Sequence, residues 1–270
     1  MTPTLGADQD NGAGQPVPAS GQETIAALLT RSRRDAVPLR RTFVQQGTPR
    51  QPEPGPLAEF VRRHDDRGLE LYLLFRAVAS ASPWNVDAST RLWARTLDLG
   101  ATRSAVSAVS RAWRRLEGYG LVTRQRVRGQ LSIVALRDDG SGEPYVHPST
   151  QGRREPYFKL PFAYWTDDES WYRRLDLAET ALLLIALSLA DDFILPYRMA
   201  RRWYGISMDT AERGLRGLQD RGLLRSEITY KSAPLAPAGY TEERRYTLLP
   251  PFGPRGRSAP SSQPSVHLDL

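Results

Sequence analysis

The stretch SAVSAVSRAWRRLEGYGLV (104–122) lies over ISMDTAERGLRGLQDRGLL (206–224) at a constant offset of 102 residues. Apolar positions coincide in pairs: Val106 with Met208, Val109 with Ala211, Trp113 with Leu215, and Leu116 with Leu218. Their spacing of three, four and three residues draws one stripe along an α-helix. Both stretches then close on Gly-Leu and a further apolar residue, Gly120-Leu121-Val122 and Gly222-Leu223-Leu224. Glycine suits the left-handed end of a helix, and the apolar pair opens a strand. Arg111 and Arg114 match Arg213 and Arg216. A stripe alone recurs by chance; together with the terminator, the arginines and the strands that follow, it reads as an internal repeat.

Outward from this pair, the patterns fall into two periodic regions, 56–136 and 157–250. The first reads as helical runs at 56–64 and 69–80, a break at Ser82-Pro83-Trp84-Asn85, a short helix over 89–98 and a turn at Leu99-Gly100. A long helix over 102–117 follows, then two β-like runs, LVTRQRV and QLSIVAL, around a tight turn at Arg128-Gly129. The second repeats that order. A helix over 178–190 follows Asp176, one over 197–203 has Pro196 in its first turn, and one over 208–221 has Ser207 as N-cap. The strands LLRSEITY and RRYTLL then flank a Pro-rich loop, 231–243. The Gly-, Pro- and Ser-bearing segment 137–156 has the composition of a linker. Residues 1–55 and 251–270 show no sustained period and read as disordered tails; the first carries a basic cluster of Arg31, Arg33, Arg34, Arg40 and Arg41.

Helix, helix, glycine turn, helix and two-stranded ribbon is an order that resembles the tandem winged helix-turn-helix DNA-binding proteins of bacteria. The second copy carries the resemblance best, in Ala200, Tyr204-Gly205-Ile206-Ser207, Thr210, Arg213, Leu215, Leu218 and Gly222-Leu223-Leu224. The first is less typical, with Ala94, Leu99-Gly100, Ser104, Val106, Arg111, Leu116 and Gly120-Leu121-Val122. The resemblance implies a mainly α fold with small β-wings: two winged helix-turn-helix domains joined by a linker, with disordered termini. It also implies that the third helix of each domain enters a major groove while the ribbon touches backbone or minor groove.

The charges agree with a polyanionic partner. The chain carries a net charge of +7, nearly all from arginine, since Lys159 and Lys231 are its only lysines. Between residues 91 and 136, Arg91, Arg95, Arg103, Arg111, Arg114, Arg115, Arg124, Arg126 and Arg128 stand against only Asp98 and Glu117. That local excess equals the charge of the whole chain. Turning the 102–117 helix at about 100° per residue puts Ser104, Ser107, Arg111 and Arg115 outward, flanked by Arg103 and Arg114. Short hydroxyl residues permit close approach, and arginine reaches guanine bidentately or binds phosphate. Arg124, Arg126 and Arg128 alternate, so they share one face of a strand. In the second copy, Ser207, Thr210, Arg213, Arg216 and Arg225 are the matching candidates, but Asp209, Glu212 and Asp220 dilute that face. This helix therefore reads as a DNA contact or as a surface for dimerisation or another protein. The aromatic cluster Tyr157, Phe158, Phe162, Tyr164, Trp165, Trp171 and Tyr172 reads as a packed lead-in, with base stacking as the alternative.

Catalytic chemistry is not expected. Cysteine is absent, and His64, His147 and His267 are isolated, without the spacing of metal ligands. No phosphate-binding P-loop or nucleophile elbow occurs, and the acid pairs are sequence neighbours whose side chains diverge. No cofactor, metal or catalytic residue is assigned. The longest apolar run, 181–190, is about half of a membrane span, and the first ten residues lack a secretory pattern. The expectation is a cytoplasmic, nucleoid-associated protein that binds double-stranded DNA sequence-specifically as a transcriptional regulator. It acts as a pseudo-dimer of its two repeats or as a homodimer. The alternatives are a plasmid or phage replication initiator on repeated origin sites, and a winged-helix adaptor that contacts a protein.

Overall fold

The structure is a computed structural model that describes residues 18–32, 34–100, 102–127, 130–149, 155–235 and 237–253. The first repeat runs α3 (Asp66–Val78), β4 (Asn85–Asp87), α4 (Thr90–Thr96), α5 (Arg103–Gly118), β5 (Val122–Val127) and β6 (Gln130–Ala135). The second runs α8 (Leu177–Ser188), β8 (Phe193–Ile194), α9 (Tyr197–Tyr204), α10 (Met208–Asp220), β9 (Leu224–Ser232) and β10 (Tyr240–Leu248). Each closes a three-stranded antiparallel sheet with its last strand in the middle, β4-β6-β5 and β8-β10-β9. Before and between them lie α1 (Gly21–Thr30), β1 (Ala36–Arg40), β2 (Gln45–Gly47), β3 (Pro52–Pro54), α2 (Leu57–Arg62), β7 (Tyr157–Pro161), α6 (Ala163–Thr166) and α7 (Trp171–Arg174).

The helix ends show why the repeat was visible. Gly120 and Gly222 both take left-handed backbone, φ +69° and +70°. Around each, the same two hydrogen bonds close the helix. Leu121 N–H donates to Leu116 O at 3.1 Å and Gly120 N–H to Glu117 O at 3.1 Å; Leu223 N–H donates to Leu218 O at 2.9 Å and Gly222 N–H to Gln219 O at 2.9 Å. This is the Schellman pattern, and Leu116, Leu121, Leu218 and Leu223 are all buried. The starts differ. Thr102 caps α5 and Ser207 caps α10, so at the 102-residue offset α10 begins one turn later. Met208, expected in the apolar stripe, thereby falls on the first residue of its helix and is exposed, whereas Ala211, Leu215 and Leu218 are buried.

Three expectations need correction. The class is not mainly α: 42% helix and 23% strand, in ten α-helices and four small antiparallel sheets among the described residues, make a mixed α and β fold. Residues 18–55 are not a tail. Ser20 forms a capping box with Glu23 at the start of α1, and β1 pairs antiparallel with β7, Val37 opposite Leu160 and Leu39 opposite Phe158. Ile25, Leu29, Val37, Leu39, Phe43 and Val44 are buried. Only residues 1–17 of that expected tail, and 254–270 of the second, lie outside the described residues; Phe252 packs its ring against Tyr164 and Trp171. Arg33, of the basic cluster, is also outside them.

Nor do residues 137–149 behave as a linker. Asp138, fully buried, accepts from Arg40 N–H at 3.0 Å and from Tyr72 Oη at 3.1 Å, and faces Arg76 Nε at 3.3 Å. The Arg76 guanidinium lies 3.7 Å from the Tyr145 ring centre. Glu155 ion-pairs with Arg40 and, at 2.8 Å, with Arg137. Arg40 and Arg76 are thus buried around Asp138, with the part-exposed Glu155 and Arg137 closing the network at its edge; an unpaired charge inside would be costly. The finding that most affects the architecture is that one buried hydrophobic cluster runs from Ile25 to Phe252, through both repeats. The expected packed lead-in contributes Phe158, Tyr164, Trp165 and Trp171 to it.

Candidate nucleic-acid interface

α5 is positioned by its inner face. Ala105, Val109, Ala112, Trp113 and Leu116 are buried, and Trp113 meets Trp93 and Phe75 edge-on at 5.4 and 5.6 Å between ring centres. The opposite arc carries Arg103, Ser104, Ser107, Arg111 and Arg114, all exposed. Ser104 Oγ lies 2.9 Å from the capping Thr102 Oγ1. Among the described residues no acid comes within ion-pair distance of Arg103, Arg111 or Arg126, while Arg114 helps hold Glu117 acidic. Beside α5, an open groove of about 560 Å³ is lined by Thr90, Arg91, Thr102 and Arg103. On the side of the β5–β6 hairpin, a second of about 420 Å³ is lined by Ser89, Ser110, Arg124, Arg126 and Gln130.

Two of the expected contacts are tied to acids of the chain itself. Arg115 donates from Nε to Asp65 Oδ2 at 2.7 Å and from Nη2 to Asp65 Oδ1 at 2.6 Å. The buried Asp65 also caps α3 through Gly68 N–H at 3.0 Å, and Tyr119 Oη lies 3.4 Å from it. Arg115 sits at the edge of the exposed arc, so its long side chain can swing toward the core instead of outward. The bond to Asp65 raises its pKa. Arg124 pairs with Glu117 at 2.6 Å, and its own N–H donates to the same carboxylate at 3.1 Å. Burial pushes the Glu117 carboxyl up, but these bonds from Arg124 outweigh it and leave the group below its ordinary pKa. Arg126 is exposed; Arg128 lies outside the described residues.

In the second repeat, Gly214 and Gly217 let α10 press onto α8. A Cβ on Gly214 would stand 2.6 Å from Ala178 O, and one on Gly217 would collide with the Glu179 carboxylate. Ser207 caps α10 by accepting from Thr210 N–H at 3.1 Å, with the two hydroxyl oxygens 2.8 Å apart, so both groups already serve the helix end. Arg216 pairs with Glu212 at 2.8 Å and Arg225 with Glu227 at 3.4 Å. Arg213 is exposed with no acid within ion-pair distance among the described residues.

Both repeats also share a contact that sequence reasoning missed. An acid in the first turn or cap of the first helix holds a cation from the end of the third: Asp65 with Arg115, and Glu179 with Arg221 at 2.9 Å. Asp65 ahead of a helical run was readable as an N-cap; its arginine, fifty residues on, was not.

No cluster of three or more histidines or acids among the described residues is placed to hold a metal ion. No helix among them is long and apolar enough to cross a membrane. No known family model, curated protein or solved structure matches the chain.

Proposed function

We propose that this chain binds double-stranded DNA sequence-specifically, as a transcriptional regulator, and that its first repeat makes the principal contact. One observation carries the reading. Arg103, Ser104, Ser107 and Arg111 form a continuous exposed arc on α5 without an opposing acid among the described residues, and Arg126 of the adjacent hairpin extends the positive surface. A helix bearing arginine and short hydroxyl residues fits a major groove, where arginine reads guanine and serine lets the backbone approach. The twofold order of helices and strands supports the resemblance to tandem winged helix-turn-helix proteins. Location at the nucleoid, in the cytoplasm, follows from this reading.

A second reading applies to the second repeat alone: contact with a protein. Asp209 and Asp220 flank Arg213 on α10, Arg216 and Arg225 are ion-paired, and on the β9–β10 hairpin Glu227, Glu242 and Glu243 nearly balance Arg225, Lys231, Arg244 and Arg245. Such a face attracts phosphate far less than the unopposed arginines of α5 do.

The test is selection of bound duplexes from a random-sequence pool, followed by affinity measurement at several salt concentrations. Arg111→Ala is expected to weaken the selected site by roughly tenfold or more, since a bidentate base contact is worth about 1–3 kcal/mol. A wild-type chain with no affinity for any duplex at low ionic strength would overturn the proposal.

A further inference from the structure

The β9–β10 hairpin reaches beyond the body of the second repeat with its edge unguarded. β9 is the outer strand of its sheet, so one row of its backbone N–H and C=O groups faces outward. The inner half of the hairpin seals the core through Leu224, Tyr246 and Leu248. The same face continues outward with Ile228, Tyr230 and Tyr240, which are 47%, 66% and 46% exposed, the two tyrosine rings meeting edge-on at 5.2 Å. Three large exposed side chains gathered on one face, opposite Arg244 and Glu242, mark a contact surface of mixed apolar and charged character.

We propose that a second copy of this chain covers it, by antiparallel pairing of the two β9 edges about a twofold axis at Thr229. Among axes at Ile228, Thr229 and Tyr230, in the outer half of the hairpin, the side chains select this one. With Thr229 on the axis, Glu227 stands opposite Lys231 of the second copy, twice by symmetry, on one face of the joined sheet. On the other face, Ile228 stands opposite Tyr230, again twice. With Ile228 on the axis, Arg225 would oppose Lys231. With Tyr230 on the axis, Glu227 would face Ala233 and lose its cation. Glu227 already has Arg225 at 3.4 Å on its own strand, so Lys231 of the second copy adds a second cation on its other side. The hairpin's cations (Arg225, Lys231, Arg244, Arg245) and acids (Glu227, Glu242, Glu243) nearly cancel, which suits a second copy with the same mixed charges better than a polyanion.

The chain contains no cysteine, which makes the test direct. Directly opposed residues in antiparallel strands have Cα atoms roughly 4.5–5.5 Å apart, within disulfide range. Thr229→Cys should therefore oxidise to a covalent dimer in the absence of nucleic acid, while Thr241→Cys on the inner strand should not. In sedimentation equilibrium, Lys231→Glu should weaken dimerisation about tenfold, because both symmetric contacts turn from attraction to repulsion. Combining it with Glu227→Lys should recover most of that loss, short of the full constant because the new lysine lies beside Arg225. A wild-type chain that stays monomeric, a charge swap that fails to rescue, or equal cross-linking from both cysteine positions would overturn the proposal. Because no DNA is present, these outcomes leave the DNA reading untouched.

Discussion

The third helices of the two repeats agree on the inside and diverge on the outside. α5 and α10 end on the same glycine geometry, bury matching residues and anchor a terminal arginine to an acid of their own first helix. Their outer faces differ in charge and in pairing: α5 keeps Arg103 and Arg111 unopposed, whereas α10 sets Asp209 and Asp220 beside Arg213 and ties Arg216 to Glu212. Their hairpins differ likewise. β5 and β6 are six residues each and present Arg126; β9 and β10 are nine each and present tyrosines with acids and cations in near balance. Inner positions are held by close packing, where a change of volume is costly, while exposed positions tolerate most substitutions. One scaffold can therefore be used twice with two different partners.

The largest effects should come from the shared interior. Trp113→Ala is expected to cost about 3–5 kcal/mol and Leu215→Ala about 2–5 kcal/mol in denaturant unfolding. Because one core spans both repeats, each variant should move a single transition; two separate transitions would divide the molecule into independent domains. Next, the outer faces can be set against each other. Replacing Arg103, Arg111 and Arg126 together with alanine should flatten the salt dependence of DNA binding by up to ~0.9 per lost phosphate contact. Replacing Arg213 and Arg225 should leave the slope almost unchanged, and an equal loss from both sets would erase the proposed asymmetry.

Smaller effects should follow at the shared ion pair. Arg115→Ala should lower stability by about 1 kcal/mol, the pair being partly open to solvent, and leave sequence preference intact. A loss of preference with unchanged melting would return Arg115 to the DNA-facing arc.

The smallest effect concerns the seam between the repeats, where Tyr164 donates to the Glu70 carboxylate of α3. The other oxygen, Oε2, is buried without a hydrogen-bond partner, and burial pushes the pKa up to about 8, with Asp66 adding repulsion. The folded state therefore holds this proton more tightly than the unfolded chain does. Stability from this group is full below the ordinary carboxylate range and is lost as pH rises through about 8. In Glu70→Gln the fall in melting temperature between roughly pH 5 and pH 9 should be shallower than in the wild type; an unchanged profile would remove Glu70 from the account.

Much of the repeat was legible because its signals are local. Asp176 and Ser207 precede their helices as caps, Gly120 and Gly222 terminate theirs, and the apolar spacing of Val109, Trp113 and Leu116 places the buried stripe. What misled was equally physical. Within 18–55, β1 shows no pattern because it is a five-residue strand buried by a partner more than a hundred residues away; α1 was instead a missed local signal, with Ser20 and Glu23 as a capping box ahead of Ile25, Leu28 and Leu29. The candidate site was half legible: the arc from Arg103 to Arg111 stands exposed, but Arg115 and Arg124 were assigned by helical angle and strand alternation, neither of which reveals an acid reaching in from elsewhere. Arg76, a lone charge within the apolar run LYLLFRAV, was the one visible sign of the Asp138 network.

Helix positions, their caps and the twofold pattern were thus set by residues a few places apart, since hydrogen bonds within a turn and the 3.6-residue period act over that range. Which arginines remain free, which acids neutralise the others, and that a supposed tail and linker belong to the core depended on the folded chain. Charges and short strands find their partners through space, and separation along the chain says little about who those partners are.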